Sequence, residues 1–459
     1  MRILKIVIVI SFTMFYCNSF SQNITENIEQ KTLELFQNKQ YKKLIQIGED
    51  AIKNNIDYFY LRYRIGVAYY NLGNYRMAAY HFEKAMVFNS DDTSELEYLY
   101  YAYTFSGRNA EANLLASKFP DYLKEQVNFK QKYLNSIYIE GGPSLSNNIP
   151  KNAGIDINDT ANIYGENDLN NNIFYAHIGL KHDILPFLSF YHGYSHIAIE
   201  KRKIISIQFW DIFGSPHNFD SVSNYTLVQN EYYINSDIQL KKGLKLTPAF
   251  HFIQVDSKSL IYQYDTAILI GNFSSSDINI KNYVVSLALS REYKKTSMSI
   301  FATYSNLNSA KQIQGGIGIT YFPFGNLNLY SNTNLVYFYQ KTSGGQGKGN
   351  TKETRFIFDQ MIGFKLFPKL WSEASITLGN LANYNEKNAF IVYNIADKIN
   401  FKTGISVIYS LSSKIELSLR YQFLSRESDY ITYENSKTSI TKTTKYQNNT
   451  IIGGIKWKL

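Results

Sequence analysis

From Asn135 to the last residue, apolar and polar residues alternate with a period of two, most completely at the end of the chain. Ile451, Gly453, Ile455, Trp457 and Leu459 fall on one face of the final stretch, and Ile452, Gly454, Lys456 and Lys458 on the other. A period of two marks a β-strand. In a water-soluble sheet such an apolar face needs a core. In a membrane barrel it faces lipid, and the lysines stand in a wet lumen.

Earlier stretches repeat the pattern. Val228, Tyr232, Ile234, Ile238 and Leu240 oppose Gln229, Glu231, Asn235, Asp237 and Gln239. Phe356, Phe358, Ile362, Phe364 and Leu366 oppose Arg355, Asp359 and Lys365, while Ile415, Leu417, Leu419, Tyr421 and Phe423 oppose Glu416, Ser418, Arg420 and Gln422. A lysine or arginine facing lipid at mid-depth costs about 2–4 kcal/mol, so the charged faces are assigned inward. The lumen-facing candidates are Lys181, Lys245, Arg355, Lys365, Lys402, Arg420 and Lys456, against Asp183, Glu231, Asp237, Glu292, Asp359, Glu373 and Glu416. The two signs balance, which predicts pairing across the lumen rather than a strongly ion-selective pore. Tyr175, Tyr233, Tyr330 and Phe338 project inward in the same register. Such rings beside Asn and Gln let a sugar chain slide, and they are equally ordinary lumen fillers.

The connections have two lengths. Short turns are expected at Ile184-Leu185-Pro186, Lys241-Lys242-Gly243, Lys294-Lys295, Pro323–Asn326, Pro368-Lys369 and Ser412-Ser413. Long polar connections are expected at Asn147–Asn171, Lys201–Asn224, Asp256–Ser276, Thr342–Asn350, Asn380–Asn400 and Ser425–Lys445, with a short exception at Asn306–Asn308. This asymmetry, tight turns on one side and longer external loops on the other, belongs to outer-membrane barrels. Six tight turns and two free ends predict 14 antiparallel strands over residues 135–459, with both barrel ends on the periplasmic side.

The chain starts with Arg2 and Lys5 flanking the apolar run Ile6–Phe15, then Ser19-Phe20-Ser21 before Gln22, which predicts a signal peptide over 1–21. Cleavage there removes Cys17 and leaves no thiol chemistry. The 39 tyrosines and 30 phenylalanines suit a barrel with aromatic girdles. The net charge of +9 comes without a concentrated basic run or a base-stacking motif, so no nucleic-acid partner is expected.

Residues 22–133 read differently. Ile65-Gly66, Tyr69, Gly73, Tyr75, Ala78, Phe82 and Ala85 have helix-turn-helix spacing. Small residues at Gly66 and Ala78 admit close helix approach, Gly73 ends the first helix, and Phe82 and Ala85 fill the next seam. A shift of 34 residues maps Tyr75, Ala78 and Ala85 back to Tyr41, Leu44 and Ala51, and Tyr69, Gly73 and Ala78 forward to Tyr103, Gly107 and Ala112. The segment resembles the tetratricopeptide repeat family, departing from it at Arg62 and Ser90. The resemblance implies a groove that docks a periplasmic protein, or else a simple spacer.

No catalytic, cofactor or metal site emerges. His192 and His196 bracket Ser195, but alternation sends Ser195 to the opposite face, and no third metal ligand accompanies the histidines. Gly344–Gly349 lacks the Ser or Thr a phosphate loop needs after Lys348, and the acidic loop of Asp156, Asp159, Glu166 and Asp168 reads as solvated. The barrel is therefore not expected to be an enzyme.

Gly454, Trp457 and Leu459 look like the terminal signal read by the barrel-insertion machinery, which together with outer-membrane lipid is an expected partner. Helical repeats followed by a terminal barrel resemble the YaiO-like outer-membrane family and, more loosely, exporters of cellulose, alginate and poly-N-acetylglucosamine. The resemblance implies polysaccharide export or surface-polymer handling, and export would need an open lumen. The alternatives are a non-transporting scaffold that recruits a periplasmic partner and a lipid-modifying enzyme.

Overall fold

The computed structural model describes residues 25–154, 164–210, 213–240, 243–265, 270–343, 350–386, 388–433 and 438–459. The expected signal peptide, Asp156, Asp159, the turn residues Lys241-Lys242 and the loop Gly344–Gly349 lie outside the described residues. The chain divides into two compact units. The first holds residues up to Gln131 with the short segments Tyr293–Thr296 and Tyr321–Leu329; the second holds Lys132–Glu292, Ser297–Thr320 and Tyr330–Leu459.

In the first unit a helix over residues 25–37 (α1) precedes α2 (Tyr41–Lys53), α3 (Phe59–Asn71), α4 (Tyr75–Ala85), α5 (Thr93–Phe105), α6 (Asn109–Ala116) and α7 (Asp121–Gln126). The 34-residue spacing recurs in the backbone: Lys39, Gly73 and Gly107 all take positive φ, at 53°, 74° and 80°. After each, one amide closes the same turn, Gln40 on Leu35 O (2.8 Å), Asn74 on Tyr69 O (2.9 Å) and Arg108 on Tyr103 O (2.9 Å). These are the bonds that end helices in the left-handed conformation. A side-chain bond repeats at the same spacing, Tyr69 OH to Glu49 (2.6 Å) and Tyr103 OH to Glu83 (3.1 Å). Leu44, Leu61 and Ile65 pack one seam, and Ala78, Phe82, Leu99 and Ala102 the next. A Cβ on Gly66 would stand 2.5 Å from the Phe82 ring, so only glycine admits that ring. Also within this unit, Arg76 donates to the carbonyls of Lys294 (2.9 Å) and Thr296 (3.1 Å) and lies over the Phe322 ring.

The second unit is a closed antiparallel barrel of 14 strands. In order they are β1 (Leu134–Ser146), β2 (Tyr164–Leu185), β3 (Leu188–Trp210), β4 (Pro216–Gln239), β5 (Leu244–Asp265), β6 (Ile270–Tyr293), β7 (Thr296–Ser305), β8 (Ala310–Tyr321), β9 (Leu329–Thr342), β10 (Thr351–Phe367) and β11 (Leu370–Leu378), then β14 (Lys398–Ser410), β15 (Ile415–Tyr433) and β16 (Ser439–Lys458). Between β11 and β14 lies a small separate hairpin, β12 (Asn385–Glu386) with β13 (Ile391–Val392). Pairing of β1 with β16, Ile137 opposite Trp457 and Ile139 opposite Ile455, closes the ring.

One face of the strands carries exposed apolar side chains all round the barrel: Ile139, Ile178, Tyr194, Tyr232, Phe250, Val285, Ile300, Ile317, Leu335, Phe358, Ile376, Ile405, Leu419 and Ile455. A continuous apolar belt of this extent needs lipid to cover it. The chain is an outer-membrane β-barrel preceded by a helical region.

Two expectations about the connections need correction. The polar stretches Lys201–Asn224, Asp256–Ser276 and Ser425–Lys445 are largely strand, with the ladder running on from Lys201 opposite Tyr225 to Trp210 opposite Pro216. Part of Asn147–Asn171 is likewise strand, together with a short helix, α8 (Asn148–Asn152). A backbone ladder forms in water as well as in lipid, and polar side chains report only what surrounds it. The second correction concerns Asn380–Asn400. It is not an external loop, because it carries three buried apolar anchors, Leu381, Tyr384 and Ala389.

Candidate functional site in the barrel lumen

The segment between β11 and β14 folds into the lumen and is held by strands around the barrel. Alternation along each strand supplies the inward residues that hold it. Leu381 and Tyr384 pack with Val336 and Phe338 of β9, Ile357 of β10, Ile399 of β14 and Leu424 of β15. Ala389 packs with Ile253 and Val255 of β5, Val284 of β6 and Leu307. Phe390 sits edge-on to three rings, 5.2 Å from His177, 5.2 Å from Tyr233 and 5.9 Å from Tyr191.

Hydrogen bonds fix the segment's backbone. His251 donates from Nδ1 to Ala389 O at 2.7 Å, which places a proton on that nitrogen because a carbonyl only accepts. Tyr233 donates to Asn388 O (3.2 Å), Asn394 to Gln229 (3.1 Å) and Asn383 to Gln340 (2.9 Å). Arg355 lies over the Phe338 ring and donates to Ala382 O. Glu386 forms an ion pair with Lys402 of β14 and accepts from Tyr393 OH at 2.7 Å. Both partners of that ion pair are more than nine-tenths buried, so each charge depends on the other. The lumen is therefore filled at this level by the chain itself, whereas a polysaccharide-export barrel predicts an open one.

The sequence-derived lumen residues fall into two groups. Arg355, Glu231, Asp359 and Arg420 gather around the inserted segment and the space beside it. Glu231 faces His251 at 3.3 Å. Arg420 meets both oxygens of Glu140, at 3.1 and 3.0 Å. Asp359 accepts from Asn334 (3.1 Å) and Thr377 (2.7 Å). The other group lies apart from the segment. Asp237 pairs with Lys245 at 3.3 Å, and Glu416 with Lys458 at 2.5 Å and Lys456 at 3.9 Å. Lys365 lies 5.0 Å from the Trp371 ring centre, and Lys181 stands opposite Tyr191 and Ser136. Of the inward aromatics, Tyr175 donates to Glu140 and Tyr330 to Glu373.

Sequence reading missed His177. Its Nδ1 lies 2.9 Å from Ser195 Oγ and its Nε2 2.6 Å from Tyr191 OH. The signal was available: a turn centred on Pro186 sets His177 opposite Ser195 across β2 and β3. The pair is almost fully buried, and Phe390 packs edge-on against the His177 ring. His192 points elsewhere, to Tyr232 (2.9 Å) and His182 (3.2 Å).

Beside the inserted segment is a cavity of about 270 Å³. Its walls come from β7, β9, β10, β11, β14 and β15, through residues such as Phe301, Asn334, Asp359, Glu373, Lys402 and Arg420, and its remaining side is Tyr384–Glu386 with Asn388, Ala389 and Ile391. Among the described residues no cluster of His, Cys, Asp and Glu has a metal-binding arrangement.

No family model matches the chain, and no curated protein matches it. Among solved structures it is similar to the Pseudomonas putida toluene transporter TodX, at 8% identity and a TM-score of 0.40, covering 76% of this chain and 92% of that one. It is similar to a Pseudomonas aeruginosa FadL homologue at 7% identity and a TM-score of 0.42, covering 78% and 93%. It is also similar to a bacterial polysaccharide outer membrane secretin at 6% identity and a TM-score of 0.33, covering 72% and 100%. At these values the likeness is one of barrel fold.

Proposed function

We propose that the protein is a plugged outer-membrane passage for polar solutes or polymers, opened when the segment between β11 and β14 leaves the lumen. The observation that carries this reading is the inserted segment itself. It is held by side-chain hydrogen bonds from several strands, by a buried ion pair and by apolar anchors, and it crosses a lumen lined with polar groups. A polysaccharide is the cargo that the architecture and the inward aromatic residues favour, and a hydrocarbon fits this polar lining poorly. A permanently open exporter does not fit the filled lumen. The N-terminal helices, with their 34-residue period, act as tetratricopeptide-like repeats in the periplasm and dock a periplasmic protein there.

Planar-bilayer recording tests the passage. The native protein is expected to be silent or nearly so, and a variant lacking residues 381–395 is expected to conduct in discrete steps. If the deleted variant inserts normally and stays silent, the passage reading fails. The second reading, a non-transporting scaffold, draws its support from the same filled lumen. It predicts a silent deletion variant, unchanged surface polymer in a strain without the gene, and copurification of a periplasmic protein that disappears when residues 22–133 are removed.

A further inference from the structure

The cavity beside the plug has a chemistry that selects its occupant. Asn385, 4% exposed, lines it with a side-chain oxygen that has no hydrogen-bond partner. Arg420 lines it with an Nε–H that has none, although its other nitrogens reach Glu140. One lining group thus lacks a donor and another lacks an acceptor. Leaving such groups dry costs about 1–3 kcal/mol each.

The charges in the wall narrow the choice. Glu386 is neutralised by Lys402, and Arg420 by Glu140. Asp359 and Glu373 have no ion-pair partner among the described residues and accept only from neutral groups, Asn334, Thr377 and Tyr330. A carboxylate with lone pairs to spare makes strong charge-assisted bonds to hydroxyl donors. Phe301 and Tyr384 add ring surface to the same walls. A volume of about 270 Å³ has room for several water molecules or for a compact ligand in their place.

We propose that this cavity is a binding site for a neutral polyhydroxylated ring, one sugar residue of a free saccharide or of a polymer. Hydroxyl groups both donate and accept, so one ligand class satisfies Asn385, Arg420, Asp359 and Glu373 together. The apolar faces of a sugar ring match Phe301 and Tyr384. Because Tyr384, Asn385 and Glu386 belong to the plug, a bound sugar bears on the plug directly. This inference rests on the passage reading for its role but not for its binding chemistry.

The test is calorimetric titration of the full-length protein in detergent micelles with glucose, cellobiose and chitobiose, and with spermidine and toluene as contrasting probes. Saccharide binding with Kd of about 1 mM or tighter is expected, near −4 kcal/mol. Asp359→Asn and Glu373→Gln, which keep side-chain shape, are each expected to weaken it about tenfold, while Asp237→Asn at the separate ion pair leaves it unchanged. Binding of spermidine or toluene without any saccharide overturns the proposal, as does saccharide binding indifferent to Asp359 and Glu373. No saccharide binding in a protein whose plug-deleted form conducts overturns the site and leaves the passage standing. Saccharide binding with a silent plug-deleted form supports the site and overturns the passage.

Discussion

Two residues in the helical unit show how a single position sets local stability. Glu95, in the first turn of α5, is 1% exposed, and neither of its carboxyl oxygens has a hydrogen-bond partner among the described residues. Burial first, and the neighbouring Asp92 second, push its pKa up to about 8. The unfolded chain releases this proton near the ordinary carboxylate value of 4.5, whereas the folded chain keeps it to about pH 8. Between those values the folded state binds more protons, so stability falls as pH rises, by up to about 1.4 kcal/mol per pH unit. Helix melting followed by circular dichroism should move to lower temperature between pH 6 and pH 9. Glu95→Gln should flatten that dependence and melt higher than the native protein at pH 9. Gly66→Ala places a methyl against Phe82 and should cost about 1–3 kcal/mol by the same measurement. The spacing of Gly66 and Phe82 is visible in the sequence. The burial of Glu95 is not, because an acidic residue in a first helical turn looks like ordinary helix capping.

At the scale of elements, the strands were readable and the plug was not. A strand announces itself by alternation, and Arg355–Phe367 or Ile415–Phe423 need no partner to show it. The plug has no period. Its anchors Leu381, Tyr384, Ala389 and Phe390 are scattered among asparagines, and what holds them comes from β5, β9 and β14, far apart in sequence. Polar composition misled in the opposite sense at Lys201–Asn224, where a ladder continues through residues that resemble loop. The cavity was half legible, since Asp359, Glu373, Lys402 and Arg420 were assigned to the lumen but the plug face that completes it was not. The ion pair at Glu386 is the plug's most exacting contact. Lys402→Ala leaves a buried carboxylate unpaired, and loss of one partner of a buried pair costs about 3–5 kcal/mol. Hydrogen exchange at residues 383–394 should rise in that variant while exchange in β2 and β3 stays unchanged. Lys402→Met with Glu386→Leu should restore much of the protection, because an apolar pair needs no compensation.

For the molecule as a whole, the two faces of β16 offer opposite tests. Ile455 is on the lipid side, and Ile455→Arg should lower folding stability in vesicles by about 2–4 kcal/mol near mid-depth, measured by urea titration. Lys456 is on the lumen side beside Glu416, and Lys456→Gln should change it little, since the Glu416 contact with Lys458 remains.

The strands also differ greatly in length. Crossing the membrane takes about 9–11 residues. β7 has 10, β8 has 12 and β11 has 9, whereas β3 has 23, β4 has 24 and β6 has 24. The arc that starts at β7 therefore ends near the membrane surface, and the neighbouring arc from β6 to β3 stands well clear of it. The mouth is bevelled, and its low lip lies on β7, β8 and β11, two of which also line the cavity. A molecule travelling along the membrane plane towards that lip meets the opening at once. One arriving from the β3–β4 side must first climb a parapet.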